Sequence, residues 1–261
     1  MTSLKGKVAL ITGASSGIGA AVARHFASLG CIVSLVGRNE ERLNAVGKDC
    51  QQWGLNSDQV LLQIAEMTND SDLERIVDVT IKRFNRIDVL VNNAGVCVLK
   101  DFQNSTMDDY ELVMNVNVRA VFYLSQLASP HLIKTKGTIV NVSSVVSKVS
   151  SGDVFFYSLS KYMLDKLTTN SAVELAPHGV RVNSVCPGIV HTPLFERNGV
   201  DWELAQAASV RHHPLGRHGE DTEVASTIAF LASDDSASIT GHHLPIDGGR
   251  HCMPGKEIKG F

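Results

Sequence analysis

The sequence predicts an α/β fold: a single domain over residues 1–261, with a seven-stranded doubly wound parallel sheet and helices on both faces. Three observations predict it. Short apolar runs rich in β-formers alternate seven times with segments of helical period. The first run leads into a glycine-rich turn that opens a helix. Polar residues suited to chemistry recur where the runs end, and open parallel sheets bind ligands beyond the carboxyl ends of their strands.

The elements follow in order. Lys7 to Thr12 (KVALIT) reads as a buried strand, and Gly13-Ala14-Ser15-Ser16-Gly17-Ile18-Gly19 as the turn. The next helix carries Ile18, Val22, Phe26 and Leu29 on one stripe and stops at Gly30. Strand, glycine turn and helix in succession are the context of a Rossmann dinucleotide site. The backbone comes close to the ligand, and free N–H groups at the helix start attract phosphate. Cys31 to Val36 is the second strand, ending in Gly37-Arg38-Asn39. An NAD site usually places a carboxylate there for the ribose 2′-hydroxyl. Gly37 followed by Arg38 instead favours a 2′-phosphate, hence NADP(H) over NAD(H), with Ser15 and Asn39 adding hydrogen bonds. Gln59 to Ala65 is the third strand, and Asp70 or Ser71 caps the helix of Leu73, Ile76, Val77, Ile81 and Phe84. Asp88 to Val91 is the fourth, delivering Asn92-Asn93-Ala94-Gly95. Thr106 and Asp109 open a helix that holds Asn115 and Asn117, both mediocre helix formers, in its interior. Gly137 to Val142 is the fifth strand and ends at Ser143-Ser144. A helix from about Phe155 to Pro177 holds Tyr157 and Lys161. Val180 to Val185 is the sixth strand, ending in Cys186-Pro187-Gly188. Residues 189–216 show no clean period and read as an irregular substrate-binding lid. Asp221 caps a helix from Thr222 to Ala232, Gly241 to Ile246 is the last strand, and 250–261 form a tail without periodicity.

Composition narrows the function classes. Hydrophobic residues make up 44% and charged residues 20%, with a formal charge of −3 and no Lys/Arg cluster, so a nucleic-acid partner is not expected. Five scattered cysteines without paired spacing read as reduced thiols and no zinc site. The adjacent pairs His212-His213 and His242-His243 do not share a helix face, so no metal is expected from them. With no signal peptide and no stretch long enough to span a bilayer, a cytoplasmic protein is expected.

Tyr157 and Lys161 stand one helical turn apart on one face. A phenol titrates near 10, and a neighbouring ammonium favours the phenolate. Bringing the phenol from about 10 to about 7 takes about 4 kcal/mol, which a close pair in a partly dry site can supply. The product is a proton donor or acceptor working near neutral pH.

With these residues in place, the chain resembles the short-chain dehydrogenase/reductase family over nearly its whole length. Thr12 to Gly19 matches the family's TGxxxGIG turn, Asn92 to Gly95 its NNAG, and Tyr157 with Lys161 its YxxxK. Asn117, Ser144 and Pro187-Gly188 stand at the expected spacings. The resemblance implies that Tyr157 is the general acid in carbonyl reduction and the base in alcohol oxidation. It implies that Ser144 hydrogen-bonds the substrate oxygen, that Lys161 lowers the tyrosine pKa and holds the nicotinamide ribose, and that Asn117 positions a proton-relay water. Spacing to Tyr157 favours Ser144 over the adjacent Ser143. Asn93, Ala94, Gly95, Pro187, Gly188, Val190 and Thr192 would line the cofactor. Glu66-Met67 stands where the family usually has an Asp and an apolar residue beside the adenine. The resemblance further implies a homotetramer or homodimer built on the helices containing 106–129 and 155–177.

The leading expectation is an NADP(H)-dependent oxidoreductase that interconverts a ketone and a secondary alcohol. Lid residues Leu194, Phe195, Val200, Trp202 and Leu204 tilt it towards a hydrophobic substrate of steroid, retinoid, terpenoid or fatty-acyl type. Phe195 and Trp202 either line the substrate pocket or pack the lid down. One alternative is a 3-oxoacyl-carrier-protein reductase, for which Arg211, Arg217 and Lys148 are a scattered set of docking charges. Others are an NAD-dependent alcohol dehydrogenase and, from a different class, a non-catalytic nucleotide-sensing regulatory protein.

Overall fold

The computed structural model describes residues 3–253. Val8–Thr12 (β1), Ile32–Gly37 (β2), Val60–Ile64 (β3), Val89–Asn92 (β4), Thr138–Val142 (β5), Arg181–Pro187 (β6) and His243–Ile246 (β7) form one all-parallel sheet in the order β3-β2-β1-β4-β5-β6-β7. The order reverses between β1 and β4, and the crevice beyond their carboxyl ends is the binding position of such sheets.

The helices are Gly17–Ser28 (α1), Glu40–Gln52 (α2), Asp70–Phe84 (α3), Met107–Met114 (α4), Ala120–Thr135 (α5), Phe155–Leu175 (α6), Pro193–Arg197 (α7), Trp202–His212 (α8) and Asp221–Ala232 (α9). On one face of the sheet, α1, α2 and α9 enclose a core that includes Phe26, Leu35, Leu43 and Ile228. On the other, α3, α5 and α6 enclose Leu73, Ile76, Leu124, Leu132 and Ala172. Strands buried on both faces read as continuous apolar runs, which is why they were legible.

Polar side chains fix the strand ends. The buried Asp88 carboxylate accepts from Val8 N at 2.8 Å and from Arg86 Nε and Nη2 at 2.8 and 2.6 Å, which locks the start of β1 beside β4. Asn92 Nδ2 donates to Asn141 Oδ1, and Asn141 Nδ2 to Thr168 Oγ1, both at 2.8 Å. These amides tie β4, β5 and α6 together just behind the site.

The structure corrects several expectations. The cap of α3 is Asn69, whose Oδ1 accepts from Ser71 N and Asp72 N, rather than Asp70 or Ser71. The cap of α9 is Glu220, in a reciprocal pair with Glu223, rather than Asp221. The predicted irregular lid contains α7, with Pro193 in its first turn, and α8, capped by Asp201 Oδ1 on Glu203 N at 2.8 Å. Between α4 and α5 the chain widens into a π-turn over Asn115–Arg119, so the two asparagines sit where the α-helical ladder is interrupted. Of the predicted tail, 254–261 lies outside the described residues.

Candidate active site

A cleft of about 570 Å³ opens at the carboxyl edge of the sheet. It is lined by all the residues predicted to hold a dinucleotide except Gly19, together with Ser144, Tyr157 and Lys161. Gly19 acts behind the surface. A Cβ there would collide with Gly13 O and Asn93 Nδ2, so this glycine lets α1 close onto the turn.

The glycine turn is braced from β4. Asn93 Nδ2 donates to Thr12 O at 2.9 Å and Gly13 O at 3.2 Å, while Thr12 Oγ1 accepts from Asn93 N and Ala94 N at 3.0 Å each. A dinucleotide fits this end of the cleft. The Ser16 side chain does not cap α1 and the first turn carries no acid, so the positive helix terminus faces the cleft unneutralised. At the end of β2, a Cβ on Gly37 would lie 3.0 Å from Ser15 Cβ, so the position an NAD site gives to a carboxylate is tightly occupied. Arg38 follows, and its Nη1 lies 3.4 Å from Glu66 Oε2 in an exposed pair. Asn39 lines the cleft, but its Oδ1 accepts from Arg42 N at 2.8 Å as the cap of α2, so that oxygen is engaged in the fold.

At the other end, β5 and α6 bring Ser144, Tyr157 and Lys161 together. Ser144 faces the Tyr157 hydroxyl closely enough to favour its ionised form. Ser143 is turned away, with Oγ donating to Lys161 O at 3.2 Å. Lys161 Nζ donates to Val142 O at 2.8 Å and lies 5.5 Å from the Tyr157 ring centroid.

The electrostatics differ from the sequence expectation. Burial pushes the Tyr157 phenol above its ordinary value, partly offset by Ser144. Burial also lowers the Lys161 ammonium from 10.5 to about 8, against the opposing influence of Cys97 and Asp165. The expected lowering of Tyr157 by Lys161 is therefore absent. Desolvation acts on both groups, and the ammonium is directed at a backbone carbonyl instead of the phenol oxygen.

Asn117 is fully buried and does not line the cleft. Its Oδ1 accepts from Val96 N at 2.8 Å, and its Nδ2 donates to Val96 O at 2.8 Å and Ser160 Oγ at 3.0 Å. Asn117 Oδ1 and Lys161 Nζ flank Gly95, 3.3 and 3.6 Å from where a Cβ would stand.

The lid closes the third side. Leu194 and Phe195 line the cleft with Val96, Leu99, Val146 and Val154, an apolar wall beside Tyr157. Trp202 is not in that wall. It stacks on His191 with centroids 4.2 Å apart and meets Phe195 edge-on at 5.6 Å, so it packs the lid. Phe155 and Phe156 pack edge-on against Phe102 and Tyr110.

Sequence reasoning missed two parts of this arrangement. His213 is buried and pins the lid to β6. Its Nε2 accepts from Ile189 N at 3.2 Å, and its Nδ1 lies 2.7 Å from Arg217 O. Arg250 is buried and lines the cleft. Neither carries a local signal, since each is defined by residues far away in the chain.

Comparison with known proteins agrees with this geometry. Residues 13–251 match the family model described as enoyl-(acyl carrier protein) reductase. The chain is 38% identical over 247 residues to a 3-oxoacyl-(acyl-carrier-protein) reductase of Thermotoga maritima, covering 94% of this chain and 98% of the relative. It is 36% identical over 250 residues to meso-2,3-butanediol dehydrogenase of Serratia marcescens, covering 96% of both. A solved Caenorhabditis elegans short-chain dehydrogenase/reductase of unknown function, with cofactor, superposes with a TM-score of 0.92 at 34% identity over 97% of both chains. In sequence and in fold, over nearly its whole length, the chain is a member of the short-chain dehydrogenase/reductase family and an oxidoreductase acting on CH–OH groups.

Proposed function

We propose that the protein is an NADP(H)-dependent oxidoreductase that interconverts a ketone and a secondary alcohol on a hydrophobic substrate. The observation that carries the cofactor choice is that Gly37, not a carboxylate, ends β2, and that Arg38 directly after it lines the cleft. The wall of Val96, Leu99, Val146, Val154, Leu194 and Phe195 supports an apolar substrate.

A bound nicotinamide cofactor supplies or accepts the hydride. The glycine turn and the start of α1 hold its diphosphate, Arg38 its 2′-phosphate, and Thr192 with the Asn93–Gly95 and Pro187–Gly188 segments its nicotinamide half. Tyr157, kept protonated by burial, gives its hydroxyl proton to the carbonyl oxygen in reduction and takes one back in oxidation. Ser144, beside Tyr157 in the cleft wall, donates to the same oxygen and stabilises the charge that develops there. Lys161 holds the nicotinamide ribose and contributes a positive charge below about pH 8. Asn117 fixes the segment between Val96 and Ser160, and with Lys161 frames the exit for a relayed proton. The protein works in the cytoplasm as a homotetramer or homodimer. Exposed Tyr110, Leu112, Phe122, Tyr162 and Met163 on α4, α5 and α6 support a subunit contact on those helices.

The test is a fluorescence titration with NADPH and NADH, followed by turnover on a panel of apolar ketones. Tighter NADPH binding that is lost in Arg38→Ala is expected, and a preference for NADH refutes the cofactor assignment. A second reading, reduction of a carrier-bound 3-oxoacyl group, is favoured by the Thermotoga maritima relative. It needs basic residues free to meet an acidic carrier, yet Arg217 pairs with Glu223 at 2.6 Å and Lys148 with Asp165 at 3.3 Å. Turnover of a carrier-bound acyl group well above that of the free ketones would make this reading the right one.

A further inference from the structure

Three guanidinium groups face the adenosine end of the cleft, and only one belongs to the site as described so far. Arg38 comes from the turn between β2 and α2, Arg42 from the first turn of α2, and Arg197 from the last residue of α7, in the lid. Arg197 crosses the mouth of the cleft, where its Nη2 donates to Ser16 Oγ at 2.8 Å. Ser16 precedes α1 without capping it, so its hydroxyl is available for this contact. Gly17 brings the chain close to the lid at the same place, since a Cβ there would lie 3.1 Å from Thr192 Cγ2.

This convergence is electrostatically costly without a ligand. Partial burial, and then the charges of Arg42 and Arg38, push the Arg197 guanidinium down from its ordinary value. Among the described residues, no carboxylate forms an ion pair with Arg42 or Arg197, Arg38 pairs only with the exposed Glu66 at 3.4 Å, and the neighbouring Glu196 offsets the charge on Arg197 only from a distance. Three guanidinium groups without a close carboxylate between them leave a locally positive site. A phosphate monoester carries about −1.5 to −2 at neutral pH and accepts several N–H donors at once. The diphosphate is a poorer match, because the open helix terminus already provides for it.

We propose that Arg197 is a binding residue for the 2′-phosphate of NADP(H), supplied by the lid. The proposal rests on the NADP(H) reading above and adds a consequence to it. The residue that clasps the phosphate sits on the same short helix as Phe195, which lines the substrate end. The 2′-phosphate therefore holds the lid down over the substrate pocket, and a cofactor lacking it leaves the lid looser.

Two measurements on the cofactor-binding protein test this without turnover. In the first, the Kd values of NADPH and NADH are compared for wild type, Arg38→Ala and Arg197→Ala. Arg197→Ala should weaken NADPH about tenfold and NADH by less than about twofold. If wild type does not prefer NADPH, the NADP(H) reading fails, and this inference with it. If wild type and Arg38→Ala behave as that reading requires but Arg197→Ala keeps the full preference for NADPH, the inference alone is overturned. Equal weakening of both cofactors assigns Arg197 to the diphosphate and also overturns it. The second measurement is chymotryptic cleavage of the lid at Phe195 and Trp202. Protection by 2′,5′-ADP, weaker with 5′-AMP and lost in Arg197→Ala, is expected. Equal protection by the two nucleotides refutes the link between phosphate and lid.

Discussion

Replacing Lys161 with methionine should stabilise the cofactor-free protein at neutral pH. Lys161 is 4% exposed, and burial lowers its ammonium from 10.5 to about 8. At about 1.36 kcal/mol per pH unit, that displacement corresponds to about 3 kcal/mol of destabilisation when the group is charged. Methionine fills a similar volume without the charge, but it loses the 2.8 Å hydrogen bond to Val142 O, a cost of about 1 kcal/mol. The net gain is about 2 kcal/mol at pH 7, or roughly 5 °C in Tm for a chain of this size. Its pH dependence has a defined sign. Between about pH 8 and 10.5 the native state binds fewer protons at this site than the unfolded chain, so wild-type stability from this group rises with pH. The penalty is complete below about pH 8 and gone above 10.5, so the advantage of Lys161→Met should shrink and then reverse across that window. Urea unfolding of both proteins at pH 7 and pH 10 measures the difference and cancels the other titrating groups. A variant less stable than wild type at pH 7 would refute the reasoning, because the ammonium would then have to be stabilised by its surroundings.

Further outcomes follow from the same geometry. Tyr157→Phe should lower kcat at least about 100-fold while NADPH binding stays within about twofold; retained biological activity would favour the nucleotide-sensing role. With the phenol raised by burial, reduction should hold its rate from neutral pH upward while oxidation accelerates with rising pH, as initial rates in each direction will show. Asp88→Asn removes a buried carboxylate that accepts three hydrogen bonds and should cost about 2–3 kcal/mol in urea unfolding, with the cleft intact. Glu66→Gln frees Arg38 from an exposed pair worth at most about 1 kcal/mol, so NADPH should bind about two- to fivefold tighter and NADH unchanged, by fluorescence titration.

The parts of the molecule that were legible in the sequence are those specified over a few neighbouring residues. The run from Val8 to Gly19 contains its own strand, turn and helix start, and the structure forms all three. Tyr157 and Lys161 share a helix, so their common face follows from spacing alone. The lid was less legible. Thr192-Pro193 and Asp201 are ordinary helix-start residues, but α7 is only five residues long and α8 exposes Leu204 and Val210, so neither shows a clear apolar period. The π-turn at Asn115–Arg119 left one trace, two poor helix formers in a helical stretch. His213 and Arg197 left none, because their partners, Ile189 N and Ser16 Oγ, are brought to them only by the folded chain.

The same distinction of range explains the reversed expectation at Tyr157. Spacing says that an ammonium is near a phenol, but its sign of action depends on where the ammonium points and on how much water either group retains. Both answers come from the sheet. β5 presents Val142 O to Lys161, and the cleft places Tyr157 in its half-buried wall, where desolvation outweighs any neighbouring charge. Two desolvated groups of opposite charge type are then driven in opposite directions towards their neutral forms, the phenol up and the ammonium down. In the proposed mechanism this raised phenol keeps its proton in the resting site, which suits Tyr157 as the donor in carbonyl reduction. Oxidation starts from the less stable protonation state and needs either higher pH or an added positive field to reach it.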